Sequence, residues 1–314
     1  MSKRILISGL GGSLFPYLNS KLKEKKHKIY YLDSNSELKF IYPNVKLQLS
    51  PIVTSNRYFD FVLDIIKKNK IEIYIPLIDE ELLVAKSLGE ILPSLKVLIP
   101  NKHFIELCLN KYLLMQELDK LGISKTPSYL DSNFKWQIQP PLFVKPNSGR
   151  GSRGIRKIEN QLQLEAYKQE NSLNGDILIQ PLIEGIEYTV GVLTNNKNEI
   201  LSISPKKVIK KDKVTVNAVT ENNPIINKLA RKIIKLLKPK GPFNIQLFLT
   251  KEMVPIIFEI NPRFSTTLIL SMEAGVDEID LLIDNYNSQD IELTHAKEGV
   301  YLYRTWKNTF YEKN

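Results

Sequence analysis

The sequence is poor in the residues that mark several specialised classes of protein. Its 314 residues include one cysteine and three histidines. One cysteine cannot form an internal disulfide, and no serine-histidine or cysteine-histidine pair stands out as a nucleophilic centre. Cys108 lies in an apolar run and is expected to be a small buried residue. No apolar run approaches the ~20 residues that a membrane span needs, so we expect a cytoplasmic protein without a membrane partner.

Positive charge is in excess, since 44 lysines and arginines face 34 acidic residues and give a formal net charge of +10. Short lysine clusters occur at 21–28 and 206–213. Aromatic residues do not interleave with these clusters, as a surface that stacks nucleic-acid bases would require. We therefore expect no nucleic-acid partner. The clusters indicate a solvated face or a general attraction for anionic substrates such as ATP.

The first hundred residues alternate apolar strands with amphipathic helices, a pattern typical of a parallel sheet that is covered on both faces. Strands are predicted at 4–8, 27–33, 71–76 and 96–99, and helices at 14–25, 58–68 and 80–88. The glycines of segment 9–13 and Asp33 are partly consistent with a dinucleotide-binding fingerprint, but the third glycine is missing. NAD binding, a structural turn and a loop facing a shared cleft all remain open.

The remainder of the chain is predicted to be rich in strands. One helix is expected at 103–121, with Gly122 as its stop, and a strongly amphipathic helix at 224–237. Strands are predicted at 142–145, 177–182, 188–194, 199–203, 215–219, 244–249 and 256–260. No internal repeat or low-complexity segment occurs.

Two segments combine a predicted strand, a glycine turn and charged residues. In 142–155 a strand ends in Lys145, a loop rich in glycine and serine follows, and the chain returns to a strand. Glycines let backbone N–H groups approach phosphate oxygens, although a flexible hairpin would look the same. In 177–188 an apolar strand runs into a turn at Gly185 between Glu184 and Glu187, which a plain hairpin also explains.

Two further segments combine as a magnesium site. Alternation along a strand puts Glu259 and Asn261 on one face, and Gln246 comes from an adjacent predicted strand. A carboxylate and an amide facing inward are costly unless they are paired or bound to a metal. Oxygen ligands of this kind suit Mg²⁺, and Arg263 is close enough to reach a phosphate held by the metal.

Taken together, these segments resemble the ATP-grasp superfamily, and most closely the ATP-grasp unit of the carbamoyl-phosphate synthase large subunit and the carboxylate-amine ligases. The motif Glu259-Ile-Asn261-Pro-Arg263 carries most of the resemblance, with support from segments 109–127 and 76–82. The resemblance implies an α/β and α+β fold, with a Rossmann-like lobe at 1–102 followed by a two-lobed ATP-grasp domain at 103–314. The lid-bearing small lobe would span about 125–183 and the C-terminal lobe about 184–314.

The resemblance also implies roles for individual positions. Lys111 and Lys145 would hold the phosphates of ATP, and Arg263 would neutralise charge on the transferred phosphoryl group, so these three would be catalytic. The lid over the phosphates would contain Ser148, Gly149, Gly151, Ser152 and Gly154. Gln180 and the backbone at Leu182 would contact adenine. Glu187 would bind the ribose. Gln246, Glu259 and Asn261 would bind two Mg²⁺ ions.

The activity implied is that of an ATP- and Mg²⁺-dependent ligase, which activates a small carboxylate as an acyl phosphate and joins it to an amine. The alternatives are a kinase that stops at phosphoryl transfer and a non-catalytic nucleotide-binding protein. The chain holds one ATP-grasp unit and no biotin-carrier motif, and it could form a homodimer. Substrate contacts are expected beside Arg263 and at the end of the first lobe, at Asp79, Glu80, Lys206, Ser265, Thr266 and Thr267.

Overall fold

A computed structural model describes residues 2–149, 154–171, 176–305 and 308–312. Over these residues the fold consists of three sheets with helices packed on them. Within the same ranges, no helix combines the length and the apolar character needed to cross a membrane. The mixed parallel and antiparallel architecture agrees with the α/β and α+β fold expected from the sequence.

The N-terminal sheet is parallel, with strand order β3-β2-β1-β4-β5. Its strands are β1 Arg4–Ser8, β2 Lys28–Asp33, β3 Leu47–Leu49, β4 Ile73–Ile75 and β5 Lys96–Val97, and its helices are α1 Phe15–Glu24, α2 Leu38–Ile41, α3 Tyr58–Asn69 and α4 Leu82–Ile91. Helices cover both faces, so the side chains of β1 from Ile5 onward are all buried. The carboxyl ends of β1 and β4 point towards the C-terminal half of the chain.

The glycine turn after β1 is held by Asp33. In a dinucleotide-binding fingerprint the residue at this position would bind the ribose. Asp33 Oδ2 accepts a hydrogen bond from the backbone N–H of Gly11 (3.1 Å), and Oδ1 accepts one from the N–H of Asn35 (2.9 Å). Oδ2 therefore ties the glycine turn to the end of β2, and Oδ1 closes the turn that follows β2. This arrangement supports the structural interpretation of the turn.

The single helix predicted at 103–121 is wrong, because the chain forms two helices, α5 Lys102–Leu109 and α6 Lys111–Lys120. Asn110 leaves the helical conformation (φ −107°, ψ 99°), and its side chain caps α6 by accepting from the N–H of Leu113 (3.1 Å). Asparagine is a preferred N-cap because its oxygen satisfies a free N–H of the first turn. The break places Lys111 at the first position of α6.

A small antiparallel sheet follows, with strand order β6-β9-β7-β8. It consists of β6 Tyr129–Leu130, β7 Leu142–Pro146, β8 Arg156–Ile158 and β9 Ile177–Pro181, with α7 Gln161–Glu170 packed against it. Leu142, Val144, Ile179 and Tyr167 are central to its own apolar core.

The large sheet is antiparallel along its length, with strand order β14-β13-β10-β11-β12-β15. Its strands are β10 Ile186–Thr194, β11 Ile200–Asp212, β12 Val214–Thr220, β13 Pro242–Leu249, β14 Pro255–Asn261 and β15 Tyr301–Tyr303, and the helices of this part are α8 Pro224–Leu237, α9 Leu268–Glu273 and α10 Glu278–Asp284. Its apolar face packs on α6 and α8. Residues of α9 and α10 share a core cluster with β1 and α1, which joins the first sheet to the C-terminal part.

Candidate functional site

A cavity of about 730 Å³ lies between the small sheet and the polar face of the large sheet. This volume is within the range of pockets that hold small molecules and cofactors. Fifteen of the residues singled out in the sequence line it: Glu80, Lys111, Lys145, Ser148, Gly149, Gly154, Gln180, Leu182, Glu187, Gln246, Glu259, Asn261, Arg263, Ser265 and Thr266. Two expected lid residues, Gly151 and Ser152, lie outside the described residues.

The centre of the cavity floor is a rectangle of oxygen-bearing side chains on β13 and β14. Gln246 faces Glu259 across the two strands, and Asn244 faces Asn261. All four line the cavity, because residues two apart on a strand share a face. Asn244 also donates to the backbone carbonyl of Arg263 (3.1 Å), which fixes the turn after the motif. Asn244 is the first residue of the strand predicted at 244–249, and no role was expected for it from the sequence.

The rectangle is chemically suited to Mg²⁺, which takes carboxylate and amide oxygens and keeps several waters. Only Glu259 among the four carries a charge. Over the described residues, no group of three or more histidine, cysteine, aspartate or glutamate side chains is placed to hold a metal. A metal at this site would therefore depend on Glu259, two or three amide oxygens and the oxygens of a bound phosphate.

A β-bulge next to Glu259 turns a second side chain into the cavity. The pairing of β13 with β14 shifts so that Gln246 faces Glu259 while Leu247 faces Ile257, which leaves Phe258 as the extra residue. Phe258 lines the cavity beside Glu259, and its ring lies 5.0 Å from that of Phe248. The bulge also frees the carbonyl of Phe258, which accepts a hydrogen bond from Lys145 Nζ (2.9 Å).

The ammonium group of Lys145 is buried between the rings of Phe143 and Phe258, with its Nζ 5.7 and 5.6 Å from the two ring centres. Burial lowers the pKa of Lys145 to about 8, and the nearby Glu259 carboxylate only partly offsets this. A charged ammonium in a partly apolar pocket is poised to bind an anion, because the anion replaces the lost hydration.

This pKa predicts that nucleotide affinity depends on pH. Below pH 8 Lys145 is charged and ready for phosphate, whereas above pH 8 binding must also take up a proton. We expect the dissociation constant of a non-hydrolysable ATP analogue to rise by up to about tenfold per pH unit above pH 8. Calorimetry at pH 9, in buffers of different ionisation enthalpy, should show uptake of about one proton. Lys145→Arg is the matched variant and should abolish the uptake; an equal uptake in that variant would assign the titration to another group.

Lys111 ties α6 to the glycine loop. Its Nζ donates to the carbonyl of Gly149 (2.7 Å), and both residues line the cavity. Gly149 has φ +105°, a left-handed conformation that glycine adopts without strain. The loop therefore begins with its backbone turned towards a lysine at the cavity wall.

The positions expected to bind adenine and ribose also line the cavity. Gln180 is buried, and its amide donates to Ser128 Oγ (2.8 Å). The N–H of Leu182 donates to the carbonyl of Pro141 (3.0 Å). Glu187 is paired with Lys211 (2.5 Å), whose Nζ also lies 3.4 Å from Gln246 Oε1.

Lys211 also lines the cavity, and it was not identified as a site residue from the sequence. Its signal was the lysine cluster at 206–213, which was interpreted as a solvated face or as a general attraction for anions. Strand alternation cannot identify the inward lysine, because β11 has irregular register against β12 around Lys210. The extra residue Ile209 reverses which side chains of β11 face the cavity, so that Lys211 and not Lys210 lines it.

The expectation that Asp79 contacts a substrate needs correction. Asp79 is buried and pairs with Arg263, whose Nε and Nη2 donate to Oδ1 (2.5 Å) and Oδ2 (3.4 Å). The carboxylate is thus occupied by the guanidinium, and it orients Arg263 from the first sheet. Glu80, the next residue, lines the cavity.

Ser265 and Thr266 line the cavity as expected, whereas Thr267 lies behind them. Thr267 is buried, and its hydroxyl lies 2.9 Å from Ser265 Oγ. Its N–H also donates to Ser265 Oγ (3.1 Å). Thr267 therefore holds Ser265 in place instead of forming part of the wall.

The structure also corrects the expectation for Lys206. Register places Lys206 beside Thr189, on the polar face of the large sheet, but α10 covers it. The side chain of Lys206 is 0% exposed and that of Glu278 is 3% exposed, and their charged atoms lie 3.8 Å apart. The pair packs over Gly191, where a Cβ would come within 2.8 Å of Glu278. Lys206 is therefore part of a buried ion pair outside the cavity.

Comparisons with known proteins concern the family and the fold of the chain. A family model described as ATP-grasp domain matches residues 108–267, which is half of the chain. The chain is 26% identical over 220 residues to the D-alanine–D-alanine ligase of Flavobacterium johnsoniae, covering 60% of this chain and 66% of that protein. It is 25% identical over 244 residues to the carbamoyl phosphate synthase large chain of Saccharolobus solfataricus, covering 70% of this chain and 22% of that protein.

A solved structure shares the fold. The biotin carboxylase domain of the Hydrogenobacter thermophilus 2-oxoglutarate carboxylase, solved with MgADP and bicarbonate, aligns with a TM-score of 0.78 at 16% identity. The alignment covers 96% of this chain and 73% of that one. The chain spans less than two thirds of the length of the curated relatives it matches. The match over half of its length nevertheless identifies it, and the chain belongs to the ATP-grasp family.

Proposed function

We propose that this protein is an ATP- and Mg²⁺-dependent ligase that activates a small carboxylate as an acyl phosphate and joins it to an amine. The observation that carries the proposal is that one cavity contains the oxygen-bearing side chains of β13 and β14 together with the cations Lys111, Lys145 and Arg263. A site that only bound nucleotide would not require metal-binding oxygen atoms next to the guanidinium of Arg263. The family match and the similarity to a D-alanine–D-alanine ligase support the same class of reaction.

The proposed chemistry assigns each side chain a role in positioning or charge neutralisation. Lys111 and Lys145 hold the phosphates of ATP, and Ser148, Gly149 and Gly154 line the cavity beside these lysines. Gln246, Glu259 and Asn261 would hold two Mg²⁺ ions, which supply positive charge to the phosphate oxygens. Arg263, oriented by Asp79, neutralises the phosphoryl group as it moves.

The proposed reaction has two steps. A carboxylate oxygen of the substrate attacks the γ-phosphorus, the bond to ADP breaks, and an acyl phosphate forms. The amine nitrogen then attacks the acyl carbon, phosphate leaves, and the nitrogen loses a proton to solvent. Exclusion of water from the cavity protects the acyl phosphate from hydrolysis.

The test is ADP release with pairs of amino acids and small carboxylates in the presence of Mg²⁺. We expect ADP release to require both a carboxylate and an amine, and we expect hydroxylamine, used in place of the amine, to trap a hydroxamate. ADP release that needs the carboxylate but no amine, with a stable phosphorylated product, would instead identify a kinase. Binding of nucleotide without ADP release from any pair would identify a non-catalytic nucleotide-binding protein. Excess EDTA is the control, and activity that persists in it would contradict the Mg²⁺ requirement.

A further inference from the structure

Arg304 follows the last strand, and its side chain joins three separate segments of the chain. Its Nη1 donates to the carbonyl of Ser13 (2.9 Å), its Nε to that of Thr215 (2.9 Å), and its Nη2 to that of Thr266 (2.5 Å). Ser13 belongs to the glycine turn after β1, Thr215 to β12, and Thr266 to the segment that follows Arg263. One guanidinium thus connects the first sheet with two parts of the large-sheet region.

The backbone of Arg304 is also held in register. Its N–H donates to the carbonyl of Val216 (2.8 Å), which extends the antiparallel pairing of β15 with β12 by one residue. The side chain therefore starts next to Thr215. A guanidinium has five N–H donors in a rigid plane, so one arginine can satisfy three carbonyls that approach from different directions. A lysine in the same place has one ammonium and a different geometry.

Two of the three carbonyl partners belong to residues that line the cavity. Thr215 and Thr266, with Ser265 beside them, form a stretch of wall that we call the acceptor wall. Arg304 itself does not line the cavity among the described residues. It can therefore influence the cavity only through the backbone that it holds.

We propose that Arg304 is a positioning residue that holds the acceptor wall in the shape required by the carboxylate and amine substrates. The proposal rests on the proposed ligase function. Nucleotide contacts lie on β7, β9 and β10 and on α6, none of which Arg304 touches. Loss of Arg304 should thus weaken substrate use selectively, while nucleotide binding is preserved.

The experiment compares Arg304→Ala and Arg304→Lys with Arg231→Ala, a matched change at an exposed arginine on α8. In Arg304→Ala we expect the KM of the carboxylate or amine to rise by at least about tenfold, and the Kd of an ATP analogue to stay within about twofold. Arg304→Lys should give an intermediate KM, because an ammonium can replace only part of the three bonds. Equal changes in KM and nucleotide Kd, or no change in either, would overturn the positioning role.

Hydrogen exchange separates this proposal from the ligase function, because it needs no substrate. In Arg304→Ala, amide exchange should accelerate by at least about tenfold in peptides covering 214–217 and 264–268, and should remain unchanged in α8. If no substrate pair releases ADP, the ligase proposal fails, and the exchange result alone decides whether Arg304 holds the wall. Unchanged exchange in both peptides would refute the role of Arg304. If Arg304→Ala does not fold, Arg304→Lys carries the same test with a smaller expected acceleration.

Discussion

Glu259→Gln is expected to reduce ATP turnover by at least about 100-fold while leaving the fold intact, a loss of about 2.7 kcal/mol in transition-state stabilisation. Glutamine has nearly the same shape, so packing between β13 and β14 should be preserved. The change removes the only charge from the rectangle formed with Asn244, Gln246 and Asn261. A neutral set of amide oxygens is a poor site for Mg²⁺, which prefers carboxylate ligands.

The measurement is kcat/KM for ATP, together with the Mg²⁺ concentration needed for half-maximal binding of an ATP analogue. The second quantity does not depend on knowing the substrates. Glu252→Gln is the matched control, since Glu252 lies exposed in the turn between the same two strands. We expect the control to behave as the wild type. Retention of more than about a tenth of the turnover by Glu259→Gln would show that the metal assignment is wrong.

Lys206→Ala is expected to lower the free energy of unfolding by about 3–5 kcal/mol, because it leaves the Glu278 carboxylate buried without its partner. Lys206 and Glu278 are both buried, with charged atoms 3.8 Å apart. Over the described residues, Lys206 Nζ and Glu278 Oε1 are both buried without a hydrogen-bond partner, so the two charges compensate each other chiefly through their electrostatic attraction. Chemical denaturation followed by fluorescence would measure the loss.

The deficit should depend on pH in a defined direction. Burial raises the pKa of Glu278 above 4.5 in the folded protein, and removal of the Lys206 charge would raise it further. A carboxyl group with a raised folded-state pKa binds a proton more tightly in the folded state, so stability is regained as the pH falls through that pKa towards 4.5. The difference between variant and wild type should therefore shrink as the pH falls towards 4.5.

A double variant tests whether the pair itself is responsible. Lys206→Met with Glu278→Leu removes both charges and keeps apolar volume, so it should be more stable than Lys206→Ala. Lys207→Ala, at the adjacent half-buried lysine of β11, is the control and should cost little. A double variant that is less stable than Lys206→Ala would mean that packing, and not an unpaired charge, causes the loss.

Elements with strong local signals were predicted closely. The strand at Arg4–Ser8 and the helix at Pro224–Leu237 are confirmed at both ends. The helix begins after Asn223, whose side chain caps it, and buried residues recur along one face at helical spacing. The predicted helix boundaries were wrong where a polar side chain caps a helix. At Asn110 the side chain caps α6, so the backbone leaves the helical conformation and the predicted single helix is divided in two. The predicted domain boundaries at 102 and 183 remain predictions.

The candidate site was predictable where residue type alone carries the chemistry. Glu259, Asn261 and Arg263 form a short motif, and Lys145 precedes a glycine-rich loop, so their presence in one cavity followed from the sequence and its family resemblance. Lys211, Phe258 and Arg304 could not be found in this way. The first two depend on irregular strand register, and Arg304 bonds to carbonyls of residues 38 to 291 positions away.

The sequence by itself determined the alternation of strands and helices, the motif residues and the kind of ligand atoms available for phosphate and Mg²⁺. These depend on local periodicity and on side-chain chemistry, which the order of residues specifies directly. Only the tertiary structure decided that Asp79 binds Arg263 and that Lys206 is buried against Glu278. The two residues of each pair lie on elements that are far apart in the chain. A buried charged side chain pairs with the opposite charge that the packing of sheets and helices places next to it, and the order of residues does not specify that partner.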